Sequence, residues 1–486
     1  MTSRKAILAL VLVVSLVAGS WMQSRLNRDR ESLGLTRTTI ISNAPPVLAF
    51  TTVALGGFRG IIANMLWIRT TELQEDGKYF EAVQLADWIS KLQPHFTQVW
   101  INQAWNMAYN ISVKFPNPED RWLWVQRGIE LLRDQGLQYN PNQALMYREL
   151  AWFFQHKMGA NLDDAHWLYK TEWAKTMESL IPGGRPNYDD LLHPKTLEAS
   201  NRVAVLTERY KMLPSMMKRV DETYGPLEWR LPETHAIYWA MVGIDNSPDQ
   251  DKLPLRRTIY QPMLTSLQRG RIVTNRFAKR IEVVANLDMV PNASRSYEDA
   301  MKADPANADH IATGHRNFLK DAIYFLWANN RPAEARKWFE KFKQLYGLGP
   351  QSGIAEGTTM EDFAISKVTE DINETSRDRV TAMLYGFIGQ SYLNLAMDEE
   401  DQAIGLERMA ARIHQNYRTR TTHPASVVRV EIPDLDVIKQ NVLRDMLMPS
   451  TNANPEFQAV LRTKLKLPPG FALPPATNAP ASDPKP

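Results

Sequence analysis

Two alanines spaced four residues apart, in a segment bounded by glycine and proline, constrain the fold of this chain more than any other feature. The segment GKYFEAVQLADWISKLQP covers residues 77–94, and Ala82 and Ala86 fall on one face of the helix that it predicts. Gly77 suits a tight turn before that helix, and Pro94 ends it. Because small side chains on one face let another helix approach closely, the segment predicts one half of a packed helix pair.

The next segment, VWINQAWNMAYN, repeats this design on a second helix. Trp100, Ala104 and Met107 recur at intervals of four and three residues, so a small residue lies between two large ones. The succession resembles the tetratricopeptide repeat (TPR) family, in which about 34 residues form two helices with such large and small positions. Further matches occur at Tyr147, Leu150, Ala151 and Phe154, at Leu319, Ala322, Ile323 and Leu326, and at Ala335 and Phe339.

The TPR resemblance covers residues 60–155 and 315–345, with a weaker match at 380–412, and its register breaks between these blocks. It implies an all-α fold that is an irregular TPR-like α-solenoid. The alternative is a generic helical bundle with similar spacing. Strand-like alternation has one good candidate, SVVRVEI at 426–432.

The N-terminus predicts a membrane anchor. Arg4 and Lys5 precede an apolar run from Ala6 to about Met22, which is close to the shortest length that spans a bilayer. We expect a single-pass transmembrane helix that keeps the main domain periplasmic or otherwise extracytoplasmic. The alternative is a cleaved signal peptide, because Ala18 and Ser20 form a small-x-small pattern.

A second apolar segment covers residues 46–68 and contains Arg59 near its middle, among glycines. A central arginine is costly in a bilayer, so we expect this segment to lie at the membrane interface or to pack into the first repeat. If it inserts, the chain forms a membrane hairpin instead. Arg59 either binds lipid phosphate or pairs with an acidic residue of the first repeat.

The chain has 486 residues, too many for one ordinary core. We therefore divide it into a membrane anchor or signal segment, a juxtamembrane segment, a first helical repeat block, an irregular helical insert, a second repeat block and a proline-rich disordered tail. Their ranges are 1–24, 25–68, 69–180, 181–310, 311–450 and 451–486.

Composition and motifs argue against nucleic-acid binding, metal binding and catalysis. The net charge is +3 without a basic block, so nucleic acid is not expected as a partner. The absence of cysteine excludes thiolate metal sites, cysteine nucleophiles and disulfides. His310 and His315 are five residues apart, which is poor spacing for zinc on one helix. We expect no cofactor, no metal and no enzymatic activity.

The most distinctive stretch outside the repeats is YGPLEWRLPETHAIYWAMVG, residues 224–243. Trp229, Arg230, Glu233 and His235 form either a small site or an aromatic loop held by an arginine–glutamate pair. One histidine and one carboxylate do not define a reaction, which favours the structural interpretation.

The TPR resemblance implies that ligands bind the concave face, which the first helix of each repeat lines. The positions that match this face are Trp105, Tyr109, Arg148, Trp152, His156, Asn317, Lys320 and Tyr324. Aromatic, amide and basic groups together suit an extended peptide with an acidic group. Alternatively, the aromatic side chains pack against the irregular central region and leave no open groove.

These observations favour a membrane-anchored TPR-like scaffold that mediates protein–protein interaction or assembles a complex of the bacterial envelope. The step to the envelope is an analogy with the family. An accessory subunit of a membrane complex, docking through residues 1–68, is the second hypothesis. An enzyme with a site at 224–243 is the third.

Overall fold

The computed structural model describes residues 3–32, 59–248, 251–278, 280–369, 377–421, 432–447 and 454–468, and these are predominantly α-helical. The prediction of an all-α fold is confirmed. The first ten helices are α1 (Ser3–Ser32), α2 (Arg59–Glu75), α3 (Tyr79–Leu92), α4 (Thr97–Trp105), α5 (Pro118–Glu130), α6 (Ala144–Trp152), α7 (His166–Leu180), α8 (Tyr188–Leu192), α9 (Leu197–Ala204) and α10 (Pro214–Tyr224). The others are α11 (Pro232–Asn246), α12 (Lys252–Arg269), α13 (Val290–Ala303), α14 (Ala308–Ala328), α15 (Pro332–Tyr346), α16 (Met360–Thr369), α17 (Arg377–Ala396), α18 (Glu400–Thr421), α19 (Leu435–Leu447) and α20 (Pro455–Lys464).

Several helices continue directly into π-helical segments. These are Asn106–Ile111 after α4, Leu131–Gly136 after α5, Phe153–Gly159 after α6 and Val205–Arg209 after α9. Leu137–Tyr139 adds a last α-helical turn to α5. Segments of π-helix occur frequently at functional sites. The two that follow α4 and α6 therefore make those helices candidates for a site.

The turn between α2 and α3 forms as the glycine predicts. Gly77 has a φ of +73°, and the backbone N–H of Lys78 donates to the carbonyl of Leu73 at 2.8 Å. Ala82 and Ala86 are buried in the helix pair that results, on the same face of α3. The prediction of a closely packed pair at this position is confirmed.

The turn after α3 also holds the following helices. The carbonyl of Pro94 accepts one hydrogen bond from Trp100 Nε1 and one from Asn140 Nδ2, each at 2.9 Å. Trp100 and Ala104 are buried, as their spacing predicts. Asn117 caps α5 by accepting from the backbone N–H of Glu119. Proline and polar caps therefore divide this region into helices of similar length.

Consecutive helices pack as pairs, which is compatible with a helical repeat fold. The pairs are α2/α3, α4/α5, α11/α12, α14/α15 and α17/α18. Helix α6 packs against α11 and α12, although four helices separate it from α11 and five from α12 in sequence. One continuous hydrophobic core extends from Trp100 to Leu461. The central region at 181–310, which the sequence presents as irregular, therefore contributes α11 and α12 to the same core as the repeat-like blocks.

An antiparallel strand pair lies where the sequence analysis expects none. Strands β1 (Arg271–Asn275) and β2 (Arg280–Val284) pair so that Arg271 opposes Val284 and Asn275 opposes Arg280. The candidate strand at 426–432 lies outside the described residues except for Ile432. The sequence analysis missed the strands at 271–284, and the strand expected at 426–432 stays a prediction.

The ends of the chain fit the predictions only in part. Pro455–Lys464 falls inside the segment predicted as a disordered tail, but it forms α20 and packs against α17. Residues 469–486 lie outside the described residues.

Helix α1 is formed, and its side chains from Val11 to Leu26 are exposed. Within the described ranges, no helix combines the length and the apolar character needed to cross a membrane.

The second apolar segment is described from residue 59 onward, as the start of α2. Ala63 packs in a small core with Ala86 and Ile89 of α3, as expected for a segment that joins the first repeat. Another face of α2 exposes Ile61, Met65 and Ile68. Arg59 begins the helix, but its side chain lies outside the described part, so the interpretations of Arg59 stay predictions.

Candidate functional site

The structure brings together five of the residues predicted for the concave face. Trp105 and Tyr109 lie on α4 and its continuation, and Arg148, Trp152 and His156 lie on α6 and its continuation. Each set repeats every four residues, so its members lie along one side of their helix. We call these five residues the aromatic face.

Ring stacking within each helix and one contact between the helices hold the aromatic face together. The rings of Trp105 and Tyr109 stack with centroids 4.3 Å apart, and those of Trp152 and His156 stack at 4.5 Å. Tyr109 Oη lies 3.2 Å from His156 Nδ1, which connects α4 to α6. The ring of Phe153 contacts the rings of Trp105 and Tyr109 in edge-to-face geometry. The four rings of the face are half-buried, so each keeps an accessible surface.

A buried carboxylate supports the face from behind. Glu149 is only 7 % exposed; one oxygen accepts from Trp105 Nε1 at 2.9 Å, and the other accepts from Arg148 Nη2 at 2.7 Å. The ion pair balances the charge of Arg148, which is itself exposed. Arg148 is therefore less available to an acidic partner than the sequence analysis expects.

Sequence reasoning missed Glu149 because its main partner, Trp105, lies 44 residues earlier in the chain. No local spacing indicates such a contact. A carboxylate next to a face-lining arginine is the only hint that the sequence offers.

The indole nitrogen of Trp152 is shielded from solvent and makes no hydrogen bond of good geometry to any described residue. A buried N–H without a partner costs about 1–3 kcal/mol, so a bound acceptor that reached it would recover part of that cost. The Tyr109 hydroxyl is near enough to interact with this N–H, so a bound acceptor would replace a poor hydrogen bond with a better one.

A cavity of about 360 Å³ adjoins the aromatic face. Its lining comprises Tyr109, Val113, Arg121, His156, Lys157, Leu162, Asp163 and Asp164. The exposed side chains of Leu162 and Val113 contribute apolar surface to it.

An ion-pair network contributes the polar part of the lining. Lys157 Nζ lies 2.5 Å from Asp163 Oδ2, and the same oxygen accepts from Tyr169 Oη at 3.1 Å. Arg121 pairs with both Asp163 and Asp164. Each charge in this network has a partner of opposite sign, so the cavity carries little net charge.

The ionisable rings of the face are neutral near pH 7. Burial raises the pKa of Tyr109, and the charge of Glu149 raises it further. Burial lowers the pKa of His156, and the neighbouring charge of Lys157 adds to the effect. The face therefore presents neutral donors and acceptors beside aromatic surface.

The remaining predicted residues form a separate group on α14. Asn317 is exposed, whereas Lys320 and Tyr324 are half-buried. Helix α12 packs against both α6 and α14. At its end, Arg269 donates to the carbonyl of Gly159 at 2.7 Å, and Gln268 donates to Asp321 at 2.9 Å. The eight predicted residues therefore form two groups, connected through the last turn of α12.

The stretch at 224–243 has the contacts of a structural network. Arg230 pairs with Glu228 and, at 2.8 Å, with Glu178. His235 is fully buried, and its Nε2 lies 2.8 Å from the carbonyl of Trp229. These contacts fit the interpretation that an arginine–glutamate pair holds an aromatic loop, although the carboxylate partners are Glu228 and Glu178.

Glu233 and the histidine pair complete the sequence candidates. Glu233 is also buried, and its nearest cation is Arg269 at 3.6 Å. His310 is exposed on α14, whereas His315 is buried between Ser294 at 2.9 Å and Tyr346 at 2.7 Å. The described residues contain no group of three or more acidic or histidine side chains placed to hold a metal ion.

Comparisons with protein-family models, with curated proteins and with solved structures give no match to this chain.

Proposed function

We propose that this protein is a membrane-anchored, TPR-like scaffold that binds a protein partner through the aromatic face. The observation that carries the proposal is the convergence of Trp105, Tyr109, Trp152 and His156 from α4 and α6 into one half-exposed surface beside a cavity. Tryptophan and tyrosine are the residues that most often dominate binding energy at protein interfaces.

The chemistry of this surface suits an extended peptide segment of the partner. Its rings are neutral, and the buried N–H of Trp152 makes no hydrogen bond of good geometry to a described residue. A peptide carbonyl supplies the matching acceptor, and an apolar side chain fits a cavity lined in part by Leu162 and Val113. The group on α14, which includes Asn317, Lys320 and Tyr324, would contact a more distant part of the same partner.

Anchoring at a membrane is the second part of the proposal. The apolar run from Ala6 to Met22 approaches the length of a spanning segment, and the side chains from Val11 to Leu26 in α1 are exposed, several to more than half of their surface. The main domain would then lie outside the cytoplasm, in a bacterial envelope, and would hold or assemble a complex there.

A specific observation also favours a second function, that of a subunit docked into a membrane complex through residues 1–68. Ile61, Met65 and Ile68 recur at four and three residues on α2 and are each more than half exposed. Together with α1, they form apolar helix surface that transmembrane or membrane-proximal helices of other subunits would cover.

Purification of the full-length protein from mild-detergent membranes tests these functions, with co-purifying proteins identified by mass spectrometry. Trp105→Ala and Trp152→Ala should lose a partner that the wild type retains. Trp167→Ala is the matched control, because it removes an exposed tryptophan outside the aromatic face. If Trp167→Ala loses the partner to the same extent, the aromatic face is not the recognition surface.

The docked-subunit function gives a different result in the same experiment. If the protein is a docked subunit, Met65→Ser would abolish co-purification of the partner, whereas Trp105→Ala and Trp152→Ala would retain it. The orientation of the main domain is tested separately with Arg295→Cys, an exposed position in a chain without cysteine. Labelling of intact cells by an impermeant thiol reagent that enters the periplasm supports an extracytoplasmic domain, and protection from it opposes one.

A further inference from the structure

A second cavity lies on the opposite side of α4 from the aromatic face. It has a volume of about 410 Å³ and is bounded by α3, by α4 with its continuation and by the π-helical segment after α5. Gln103 lines it and precedes Trp105 by two residues, a rotation of roughly 200° around the helix. The cavity is therefore structurally separate from the proposed recognition surface.

The lining combines three glutamines with large apolar side chains. Gln84, Gln103 and Gln135 supply carboxamides, and Trp88, Met107 and Leu131 supply apolar surface. Trp88 is 56 % exposed, which is unusual for so large an apolar side chain. The cavity is therefore accessible, and part of its wall is uncovered indole.

Gln103 is the residue that indicates a ligand. It is only 3 % exposed, and its Nε2 donates to the carbonyl of Val83 at 3.3 Å. Its Oε1 has no hydrogen-bond partner among the described residues. Buried polar groups in folded proteins are normally paired, so an unpaired acceptor in a cavity wall calls for a donor from outside the fold.

The charges around the cavity exclude most ionic ligands. Asp87 is the ionisable side chain in the lining, and it already pairs with Lys91 at 2.6 Å. The rest of the cavity lining is neutral amide and apolar surface. An uncharged peptide main chain offers both the N–H and the C=O that carboxamides bind.

We propose that this cavity binds an extended, uncharged peptide segment of a second partner, with one large apolar side chain inserted between Trp88 and Met107. A main-chain N–H of the peptide donates to Gln103 Oε1. The carboxamides of Gln84 and Gln135 bind the neighbouring main-chain groups at the rim. The protein thereby binds two peptide segments on opposite sides of α4.

Selection from a phage-displayed library of random short peptides tests this site, with the immobilised full-length protein in mild detergent as bait. Affinities of the selected peptides are measured by fluorescence anisotropy with synthetic copies. We expect enrichment of uncharged peptides with a large apolar residue. Trp88→Ala and Gln103→Leu should each weaken their binding by roughly tenfold or more. Trp88→Ala alters an exposed side chain, so it tests the site without depending on a core substitution.

Two controls separate this site from general effects and from the aromatic face. Gln138→Leu makes the same chemical change as Gln103→Leu at an exposed position outside the cavity, and it should leave binding unchanged. Trp152→Ala should also leave it unchanged, because Trp152 belongs to the aromatic face and lies on α6, which does not line the cavity. These results would hold even if the aromatic face bound no partner.

Four outcomes would overturn the proposal. The first is a selection that enriches no peptides, and the second is binding that Trp88→Ala and Gln103→Leu leave intact. The third is loss of binding in Trp152→Ala, which would assign the peptides to the aromatic face. The fourth is self-association of the purified protein that Trp88→Ala abolishes, because a second copy of the chain would then occupy the cavity.

Discussion

A single methyl group at Gly128 tests the helix packing on which the aromatic face depends. Gly128 lies on α5, where the helix crosses α4 closely. A Cβ at this position would lie 2.8 Å from the carbonyl oxygen of Ala104 and 3.3 Å from the Cβ of Ala108. Phe153, which supports the rings of the face, is 3.5 Å away. The two helices must therefore move apart to accept Gly128→Ala.

The size of the effect follows from two opposing contributions. Overpacking a close helix contact costs about 1–3 kcal/mol, and the cost is in the upper part of that range where backbone cannot rotate away. Replacing glycine with alanine inside a helix contributes about 1 kcal/mol in the other direction. We expect Gly128→Ala to lower the free energy of unfolding by about 1–2 kcal/mol.

Gly386→Ala is the matched control. Gly386 is an exposed residue inside α17, and a Cβ there meets no atom within 4 Å. Only the gain in helix propensity remains, so this variant should be more stable than the wild type by about 1 kcal/mol. The two substitutions are chemically identical and should shift stability in opposite directions.

The assay is denaturant-induced unfolding of the full-length protein, followed by far-UV circular dichroism, with hydrogen exchange to locate the change. Gly128→Ala should shift the midpoint to lower denaturant and accelerate exchange in α4 and α5. If it instead stabilises the protein as much as Gly386→Ala does, the carbonyl oxygen of Ala104 is not within 2.8 Å of the Cβ position at residue 128, and the positions of Trp105 and Tyr109 inferred from that packing are wrong.

Three further predictions concern other parts of the fold. Trp105→Phe should lower thermal stability by about 1–2 kcal/mol, because the buried carboxylate of Glu149 loses a donor; an unchanged melting temperature would contradict that hydrogen bond. Burial lowers the pKa of His235 to about 4, so the unfolded chain binds its proton first as the pH falls, and folding should lose about 3 kcal/mol between pH 6.5 and pH 4. His235→Gln should reduce this pH dependence of unfolding, and an identical pH profile would argue against a neutral buried imidazole. Gly405→Ala should destabilise the protein by more than Gly128→Ala in the same unfolding assay, since its Cβ would overlap the carbonyl oxygen of Ala328.

Local patterns in the sequence were enough to predict several helices and, in α3 and α4, which side is buried. The alanine pair in α3 predicts a closely packed face, and both alanines are buried. Trp105 and Tyr109, four residues apart, lie together on one side of α4 and its continuation, as helical geometry requires. These predictions succeed because a turn and a helix face depend on residues within a few positions of each other.

Contacts between distant parts of the chain could not be predicted in this way. Glu149 reaches Trp105 across 44 residues, and no spacing in either helix indicates the pair. The strands at 271–284 were missed because they are short and, at five residues each, weak in local pattern. The unpaired carboxamide of Gln103 becomes visible only when the atoms that surround it are known.

The sequence by itself determined a predominantly α-helical chain in which consecutive helices pack as pairs, because helix periodicity, glycine turns and proline breaks are encoded locally. It also identified residues that the structure places together on α4 and α6. Only the tertiary structure decided that α12 lies between this group and Asn317, Lys320 and Tyr324. The physical reason is that burial of apolar surface stabilises any arrangement that fills the core. Which residues become neighbours depends on how helices that are far apart in the chain pack against each other.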